Sequence, residues 1–206
     1  MRYVSEHNKM YGTVEDFNVR QTLYAEVDAF VNSVNEDPTS TYTSAHNKFS
    51  DWTQEEKDAL LGLKNMPMPE FVYGDEDEEM NEDVPHNVDW RMINYVTPVK
   101  DQGYCGSCWA FSAIEAIESA WMIAGSDEQV IMSTQELVDC TDAEGDHGCS
   151  GGWYFYAYKW LATNKTMSES DYPYTSGRSG AAGSCRYNAA EGICNVKSFG
   201  QTTTTN

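Results

Sequence analysis

The spacing of apolar and charged residues in the first third of the chain predicts two helices. Apolar residues recur at intervals of three and four over residues 13–35, with charged residues between them, which indicates an amphipathic helix. The polar sequence DPTS at 37–40 ends this helix. The sequence TQEE at 53–56 has the form of a capping box, so a second helix is predicted to begin near Thr53 and to continue to Gly62.

Three further helices are predicted in the rest of the chain. Residues 108–124 form a strongly apolar segment, and the sequence STQE at 133–136 repeats the capping-box pattern before a short helix. Residues 153–161 are rich in aromatic side chains and predict the third helix. From Ser170 onward glycine, proline, serine and tyrosine predominate, so loops are expected there, with one short strand over 195–199. The apolar stripe of the first of these helices consists of Ala110, Ala113, Ile114, Ile117 and Trp121.

A change of composition in the middle of the chain marks a boundary. The sequence MPMP at 66–69 is followed by a run of acidic residues at 75–83, and like charges beside prolines favour an extended, solvated segment. We therefore expect residues 66–83 to be a linker between a domain at 1–65 and a domain at 84–206. An ordinary acidic loop would need the same structure, and cleavage of the linker is a separate hypothesis.

The charge of the chain excludes two classes of partner. The sequence has 33 acidic residues against 13 lysines and arginines, a formal net charge of -20. Such a field repels phosphate backbones and anionic lipids, so neither nucleic acid nor a membrane surface is expected as a partner. No stretch approaches the length of about 18 apolar residues that a membrane span needs.

The cysteines indicate an exported protein. All six follow the predicted linker, a clustering typical of disulfide-bonded secreted domains. The sequence NKT at 164–166 is a glycosylation sequon and agrees with export. The N-terminus has no apolar signal segment, so we expect the natural start to lie upstream of Met1. The cysteines are Cys105, Cys108, Cys140, Cys149, Cys185 and Cys194.

The sequence QGYCGSCWAF at 102–111 carries the clearest chemistry. A cysteine attacks a carbonyl group as the thiolate, and the first turn of a helix, where Cys108 is predicted, favours an anion. Gly106 and Ser107 supply a turn and a candidate helix cap before it. The side-chain amide of Gln102 and the backbone N–H of Cys108 could together hold a developing oxyanion.

This segment resembles the active site of the papain-like cysteine peptidases, and further motifs extend the resemblance from about Val84 to the end of the chain. The resemblance implies an α+β papain-like fold, in which a helical N-terminal lobe of the peptidase follows a helical inhibitory propeptide, and the β-rich C-terminal lobe is expected to be missing from this chain. The further motifs are VDWR at 88–91, TPVKDQG at 97–103, ELVDC at 136–140, GCSGG at 148–152 and DYPY at 171–174.

The first 65 residues resemble the inhibitory propeptide of the same family. The family's interspersed helix motif is matched identically at Arg20 and Asn35, while Val27 departs from it. A second, shorter motif of the family keeps three of its four residues. The aligned positions are Asp16, Arg20, Tyr24, Val27, Val31 and Asn35 in the first motif, and Ala45, Asn47, Phe49 and Asp51 in the second.

The resemblance assigns roles residue by residue. Cys108 would be the nucleophile and Gln102 the oxyanion donor. Backbone groups that receive an extended substrate would come from Gly106, Gly151 and Gly152, and the edge of the main specificity pocket from Trp153 and Tyr154. Disulfides are implied between Cys105 and Cys149 and between Cys140 and Cys185, which leaves Cys194 without an assigned partner. No cofactor and no metal are expected.

One departure from the family concerns its catalytic histidine. The family places this histidine about 130–150 residues after the cysteine, with an asparagine beyond it. Only 98 residues follow Cys108, and His147 is the one histidine among them. We therefore expect a zymogen fragment, inactive as it stands, of a monomeric lysosomal, vacuolar or secreted endopeptidase. Its partners would be polypeptide substrates and its own propeptide, bound in the cleft.

Other functions fit parts of the same sequence. A Cys-x-x-Cys redox site is disfavoured because Trp109 follows the second cysteine, whereas redox sites of the thioredoxin type place a tryptophan before the first. A zinc site is disfavoured because Cys140 and Cys149 are too far apart for a second close pair. A non-catalytic inhibitor or binder of a related peptidase, acting through the propeptide-like helices, remains the alternative function.

Overall fold

The structure is a computed structural model, and it divides into two compact units. We name Met1–Asp58 the N-terminal unit and Ala59–Asn206 the C-terminal unit. The described residues of both units form helices and loops and no strand. Two isolated β-bridges lie in the C-terminal unit. No helix in this part of the chain is long and apolar enough to cross a membrane. The described residues are 2–62, 86–126 and 128–200, so the predicted linker at 66–83 lies outside them.

The N-terminal unit is built on one long helix. Helix α1 (Arg2–Glu6) precedes helix α2 (Val14–Glu36), which confirms the helix predicted over 13–35. Thr13 caps α2, because its hydroxyl accepts a hydrogen bond from the backbone N–H of Asp16 at 3.1 Å. The apolar periodicity and this cap together explain why the helix begins where it does.

Helix α3 (Gln54–Ala59) begins at the predicted capping box. The Thr53 hydroxyl accepts the Glu56 backbone N–H at 3.2 Å, and the Glu56 carboxylate accepts the Thr53 N–H at 2.8 Å. The predicted extension of this helix to Gly62 is wrong, because it ends at Ala59. The next residues instead pack as an irregular segment against loops of the C-terminal unit, so tertiary contacts outweigh local helix propensity.

Arg20 fastens α2 to the start of α3. Its guanidinium forms a two-pronged ion pair with Glu56 and also bonds Asp16 at 3.2 Å. A further bond at 3.0 Å reaches the main-chain carbonyl of Asp51. At the other end of α2, the side chain of Asn35 pairs with the backbone N–H and carbonyl of Ser44, both at 2.8 Å. The two residues that match the propeptide motif identically therefore hold the two ends of the long helix.

The Asp51 side chain is the most deeply enclosed acid of the N-terminal unit, with 2% of the residue exposed. Its carboxylate accepts hydrogen bonds from the Lys9 ammonium at 2.6 Å, the Tyr11 hydroxyl at 2.9 Å and the Tyr3 hydroxyl at 3.0 Å. Burial by itself would raise the pKa of Asp51, but these three donors outweigh it and hold the pKa below its usual value.

The C-terminal unit packs short helices around α4 (Cys108–Ile123). Helices α5 (Thr134–Cys140) and α6 (Tyr154–Leu161) follow the predicted positions, and α7 (Ser176–Ser179) is one further turn. In the predicted stripe of α4, three residues are fully buried and two are partly buried. Together with α5 and α6 this stripe forms one apolar core, which includes Trp109, Ala110, Ala113, Ile114, Met132, Leu137, Ala157 and Leu161.

Two details of the C-terminal unit differ from the sequence-based predictions. The Ser133 hydroxyl accepts the Glu136 N–H at 3.0 Å, but the Glu136 carboxylate bonds the Met167 N–H at 2.7 Å, so only half of the capping box forms. The Ser133 N–H instead donates to the Met167 carbonyl. The strand predicted over 195–199 is also wrong, because pairing in this region is a single bridge between Thr166 and Cys194.

Candidate active site

Cys108 is the first residue of α4 and is a half-buried free thiol. The apolar stripe of the helix anchors α4 in the core, so the position of this thiol is fixed by packing. Ser107 occupies the N-cap position, as expected, but its side chain makes no capping hydrogen bond: the Ser107 hydroxyl contacts the hydroxyl of Tyr174 at 2.7 Å. The first turn of α4 therefore keeps N–H groups that no Ser107 side chain has bonded, at the end of the helix that favours anions.

Gln102 lies on the loop before the nucleophile, and two carbonyl groups orient its side chain. Its Nε2 donates to the Cys105 carbonyl at 2.8 Å and to the Leu60 carbonyl at 3.2 Å. The first bond fixes the amide within its own loop, and the second is made to a main-chain oxygen of the segment 59–62. The predicted oxyanion donor is therefore already in contact with a peptide carbonyl of this chain.

The segment 59–62 runs between the two loops that carry the predicted substrate-binding glycines. A Cβ atom added to Gly62 would lie 2.5 Å from the Gly106 carbonyl oxygen and 2.5 Å from the Gly151 Cα. A Cβ atom added to Gly151, whose φ is +122°, would lie 1.5 Å from the Gly62 carbonyl oxygen. These approaches are shorter than any side chain permits, so Gly62 and Gly151 must both be glycine, and the main chains touch directly.

The remaining predicted pocket residues lie beside this contact. Gly152 is buried, and a Cβ atom there would lie 2.5 Å from the Trp109 ring and 2.5 Å from an Asp146 carboxylate oxygen. The backbone N–H of Trp153 donates to that carboxylate at 2.8 Å. Trp153 and Tyr154 are half-buried at the start of α6, with their ring centroids 6.4 Å apart. Gly152 therefore packs inward, while the two aromatic residues stay partly accessible.

Asp146 supports this corner of the site from the interior. It is fully buried, and burial raises its pKa to about 6 despite the hydrogen bond from Trp153. Glu136, on α5, is also fully buried, and its pKa is raised to about 7 for the same reason. The sequence does not indicate that either carboxyl group has a raised pKa, because burial of a carboxylate depends on contacts between distant segments.

Both implied disulfides are present. The Cys105–Cys149 bond joins the loop before the nucleophile to the loop before Gly151, and the Gly106 N–H adds a hydrogen bond to the Cys149 carbonyl at 3.0 Å. The Cys140–Cys185 bond ties the end of α5 to the loop beyond α7. Cys194 is a half-buried free thiol, and burial raises its pKa.

His147, the histidine that follows Cys108 in sequence, is on the surface. Its side chain is 59% exposed, and Nδ1 lies 3.9 Å from an Asp142 carboxylate oxygen. Among the residues that the structure describes, no group of three or more histidine, cysteine or acidic side chains is arranged to hold a metal.

Comparisons with known proteins follow the same division of the chain. The sequence profile described as papain family cysteine protease matches residues 84–206, and the profile of the cathepsin propeptide inhibitor domain matches residues 1–56. A cathepsin L-like proteinase of Fasciola hepatica is 41% identical over 160 residues, covering 77% of this chain and 48% of that protein. Digestive cysteine proteinase 3 of Homarus americanus is 36% identical over 194 residues, covering 91% of this chain and 58% of that protein.

A solved structure resembles the chain over both units. The digestive procathepsin L2 proteinase from the Tenebrio molitor larval midgut matches with a TM-score of 0.82 and 32% identity, covering 94% of this chain and 64% of that one. The chain spans about half to three-fifths of the length of the curated relatives described here, from 48% to 58%.

Proposed function

The chain belongs to the papain family of cysteine peptidases, whose profile covers residues 84–206, and from that membership we propose that it is part of an endopeptidase zymogen. Cys108 is the nucleophile of this proposal and Gln102 the oxyanion donor. The enzyme would cut peptide bonds of polypeptide substrates as a monomer, in a lysosome or vacuole or after secretion. Two disulfides in the C-terminal unit support an oxidising compartment.

The reaction proceeds through an acyl-enzyme. The Cys108 thiolate adds to the substrate carbonyl, and the new oxyanion is held by the Gln102 Nε2 group and the Cys108 backbone N–H. As this intermediate collapses the C–N bond breaks, and the departing amine takes the proton that a histidine imidazole had removed from the thiol. A thioester is left on Cys108. Water then hydrolyses the thioester and restores the thiol. Donors held in place before the reaction stabilise the charge without reorganisation, which is where most of the rate enhancement would arise.

The observation that carries the proposal is the contact between Gln102 and the Leu60 carbonyl. The donor proposed for the transition state already binds a peptide carbonyl, and main-chain atoms of Gly62 lie against Gly106 and Gly151. A substrate backbone in the same place would bring its carbonyl to the same donor. In the zymogen, the segment 59–62 would therefore block the site until it is removed.

The imidazole that takes the thiol proton is not assigned to His147. That side chain is exposed, with its Nδ1 atom 3.9 Å from an Asp142 carboxylate oxygen, and we give it no role in this mechanism. We propose that the 206 residues hold the nucleophile and the oxyanion donor, and that a histidine and an asparagine outside these residues complete the site. The chain alone should not turn over peptides.

The complete precursor, processed in acid, tests the proposal. It should hydrolyse a fluorogenic dipeptide substrate, and Cys108→Ala should abolish the activity, whereas the purified 206-residue chain should show none. If the 206-residue chain hydrolyses the substrate and Cys108→Ala abolishes this activity, the proposal that the catalytic histidine lies outside these residues is contradicted. Absence of turnover in the processed wild-type precursor would contradict the peptidase function itself.

A second function is favoured by the match of residues 1–56 to the cathepsin propeptide inhibitor domain. The chain would then act as an inhibitor of a related cysteine peptidase. The 206-residue Cys108→Ala protein separates the two functions when it is added to an independent cathepsin L-like peptidase. Tight inhibition in trans, combined with no activity of the complete precursor, would favour the inhibitor.

A further inference from the structure

One tyrosine hydroxyl contacts the loop before α4 at two residues, one at each end of the segment that supplies the proposed oxyanion site. The Oη of Tyr174 donates to the main-chain carbonyl of Gln102 at 2.8 Å and lies 2.7 Å from the Ser107 hydroxyl. Gln102 carries the side-chain amide donor, and Ser107 immediately precedes Cys108, whose N–H is the other donor. A single hydroxyl group therefore links the residues that present the two donors.

The direction of these hydrogen bonds follows from the number of protons. The Gln102 carbonyl can only accept, so the Tyr174 proton points to it, and the Ser107 hydroxyl must donate its own proton to Tyr174. Ser107 is fully buried, so its proton cannot turn instead to bulk water. The series of hydrogen bonds from Ser107 through Tyr174 to Gln102 thus has one arrangement in which every proton is donated. Such a series holds the two end residues at a fixed separation.

Tyr174 itself is held from three sides. Its backbone N–H donates to the Glu169 carboxylate at 2.7 Å, and its ring packs edge-on against Phe111 of α4 with centroids 4.9 Å apart. The next two residues of the loop donate their N–H groups to the Gln135 side chain of α5 at 2.8 and 2.9 Å. The tyrosine is therefore fixed to the core helices and can transmit that rigidity to the loop before α4.

A second contact holds the loop of Tyr174 against the loop before α4. The Tyr104 N–H donates to the Gly177 carbonyl at 2.8 Å, and Gly103 has a φ of +61° with its Cα facing the main chain of Gly177. This backbone contact does not involve the tyrosine hydroxyl. Replacing Tyr174 by phenylalanine should therefore remove the link between Gln102 and Ser107 while the loops remain packed.

We propose that Tyr174 is a positioning residue, whose hydroxyl sets the separation of the Gln102 amide and the Cys108 N–H for the oxyanion. The proposal rests on the proposed peptidase function. Tyr174 touches no reacting atom and acts only through Gln102 and Ser107. Its loss should slow the chemical step without weakening the binding of the substrate ground state, because the donors matter most when charge develops on the carbonyl oxygen.

The test compares two tyrosines of the same loop in the complete, acid-processed enzyme. Tyr174→Phe should lower kcat by about tenfold or more, since a small misplacement of catalytic groups can have effects of that size, while KM stays within about twofold. Tyr172→Phe is the matched control, because its hydroxyl is also hydrogen-bonded: it lies 2.8 Å from the Asp139 carboxylate and 3.3 Å from the Ser184 carbonyl, and it accepts the Arg186 backbone N–H at 3.0 Å. That variant should lose comparable stability in urea and keep its kcat.

Two more measurements separate positioning from general damage. Alkylation of Cys108 by iodoacetamide forms no oxyanion, so Tyr174→Phe should leave its rate within about twofold of wild type. In a Gln102→Ala background, Tyr174→Phe should lower kcat no further, because the group it positions is already gone. If Tyr174→Phe does not fold, Ser107→Ala removes the other hydroxyl of the same chain and should give the same pattern.

The outcomes distinguish failure of this inference from failure of the proposed function. An active wild-type enzyme whose kcat is unchanged by Tyr174→Phe, or by Ser107→Ala if that variant is needed, would overturn the positioning role alone. An effect that persists undiminished in the Gln102→Ala background would also overturn it. An inactive wild-type enzyme would overturn the peptidase function, and the positioning role with it.

Discussion

The Gln102 side-chain amide and the Leu60 main-chain carbonyl are joined by a hydrogen bond of 3.2 Å. The same amide is fixed in its own loop by the Cys105 carbonyl at 2.8 Å, so it was oriented by the fold and not by Leu60 alone. A peptide of this chain therefore makes use of a preformed donor in the way that the proposed function asks of a substrate. The segment 59–62 differs from a substrate in that packing around Gly62 holds it in place.

Gly62→Ala should release the segment 59–62 from the candidate active site. The new Cβ would lie 2.5 Å from Gly106 and Gly151 main-chain atoms, which cannot shift easily beside the Cys105–Cys149 disulfide. If the substitution destabilises the bound position of the segment by about 1.4 kcal/mol, the fraction of molecules in which the site is open rises about tenfold. We therefore expect the iodoacetamide alkylation rate of Cys108 in the unprocessed protein to rise by about the same factor.

Gly200→Ala is the matched control, because a Cβ at that position meets nothing within 4 Å. Its alkylation rate should equal that of wild type. An unchanged rate in Gly62→Ala would mean that the segment does not cover Cys108.

The elements with a local cause were predictable from the sequence, and those with a distant cause were not. The periodicity of 13–35 and the cap at Thr53 act within a few residues, and both gave helices in the right place. Helix α3 nevertheless ends at Ala59, because Gly62 packs against loops that are far away in sequence. The strand suggested at 195–199 lacked a neighbouring strand to pair with in the described residues, and a strand pattern alone does not supply one.

The candidate site shows the same division. Cys108 and Gln102 stand in one short motif and are predictable from it, whereas the hydroxyl that links Gln102 to Ser107 belongs to Tyr174. Its motif, DYPY, was recognised, but nothing in that motif indicated a contact with Gln102 or Ser107. Ser107 stands at the N-cap of α4, as its position in the motif indicates, but its hydroxyl bonds the distant Tyr174 and not the first turn of the helix.

The two free thiols should differ in reactivity. Cys108 lies at the N-terminus of α4, whereas burial raises the pKa of Cys194 and so lowers its thiolate fraction at neutral pH. In the processed enzyme, Cys108 should be alkylated first. Peptide mapping after alkylation, under denaturing and non-reducing conditions, should recover the Cys105–Cys149 and Cys140–Cys185 bonds. A Cys105–Cys108 bond as the main species would contradict the peptidase site and favour a redox motif.

The C-terminal unit should be more stable in weak acid than at neutral pH. The pKa of Glu136 is raised by burial to about 7, above its ordinary value of 4.5, so the folded state binds a proton that the unfolded state releases. The stability that Glu136 contributes in its protonated form is therefore lost as pH rises from about 4.5 to 7. The difference between these two pKa values corresponds to about 3 kcal/mol of unfolding free energy. Asp146, with a pKa raised to about 6, acts in the same direction.

Urea unfolding at pH 5 and pH 8 measures this effect through tryptophan fluorescence, because five of the six tryptophans lie in the C-terminal unit. Glu136→Gln keeps an oxygen that can accept the Met167 N–H but cannot ionise, so the difference between the two pH values should shrink. The exposed Glu191→Gln variant is the control and should preserve the difference. Equal pH dependence in Glu136→Gln and wild type would exclude this carboxylate as the cause.

The N-terminal unit should respond to acid in the opposite direction, through Asp51. Hydrogen bonds from Lys9, Tyr11 and Tyr3 outweigh burial and hold the pKa of Asp51 below its usual value. A carboxylate with a lowered folded pKa adds stability above its unfolded pKa of about 4, and this stability is lost as pH falls through the folded value. Acid therefore loosens the unit that resembles an inhibitor while it strengthens the unit that carries Cys108.

Asp51→Asn should allow the complete precursor to be processed without protonation of this carboxylate. The amide leaves the Lys9 ammonium without a counter-charge in a site where Asp51 is 2% exposed, and breaking a buried ion pair in this way costs about 3 kcal/mol. The variant should be processed at pH 7 at a rate that wild type reaches only in acid. Asp28→Asn is the control, since Asp28 pairs with His46 in the same unit with a side chain that is 47% exposed. If Asp51→Asn requires the same acid pH as wild type and Asp28→Asn, the carboxylate of Asp51 does not control activation.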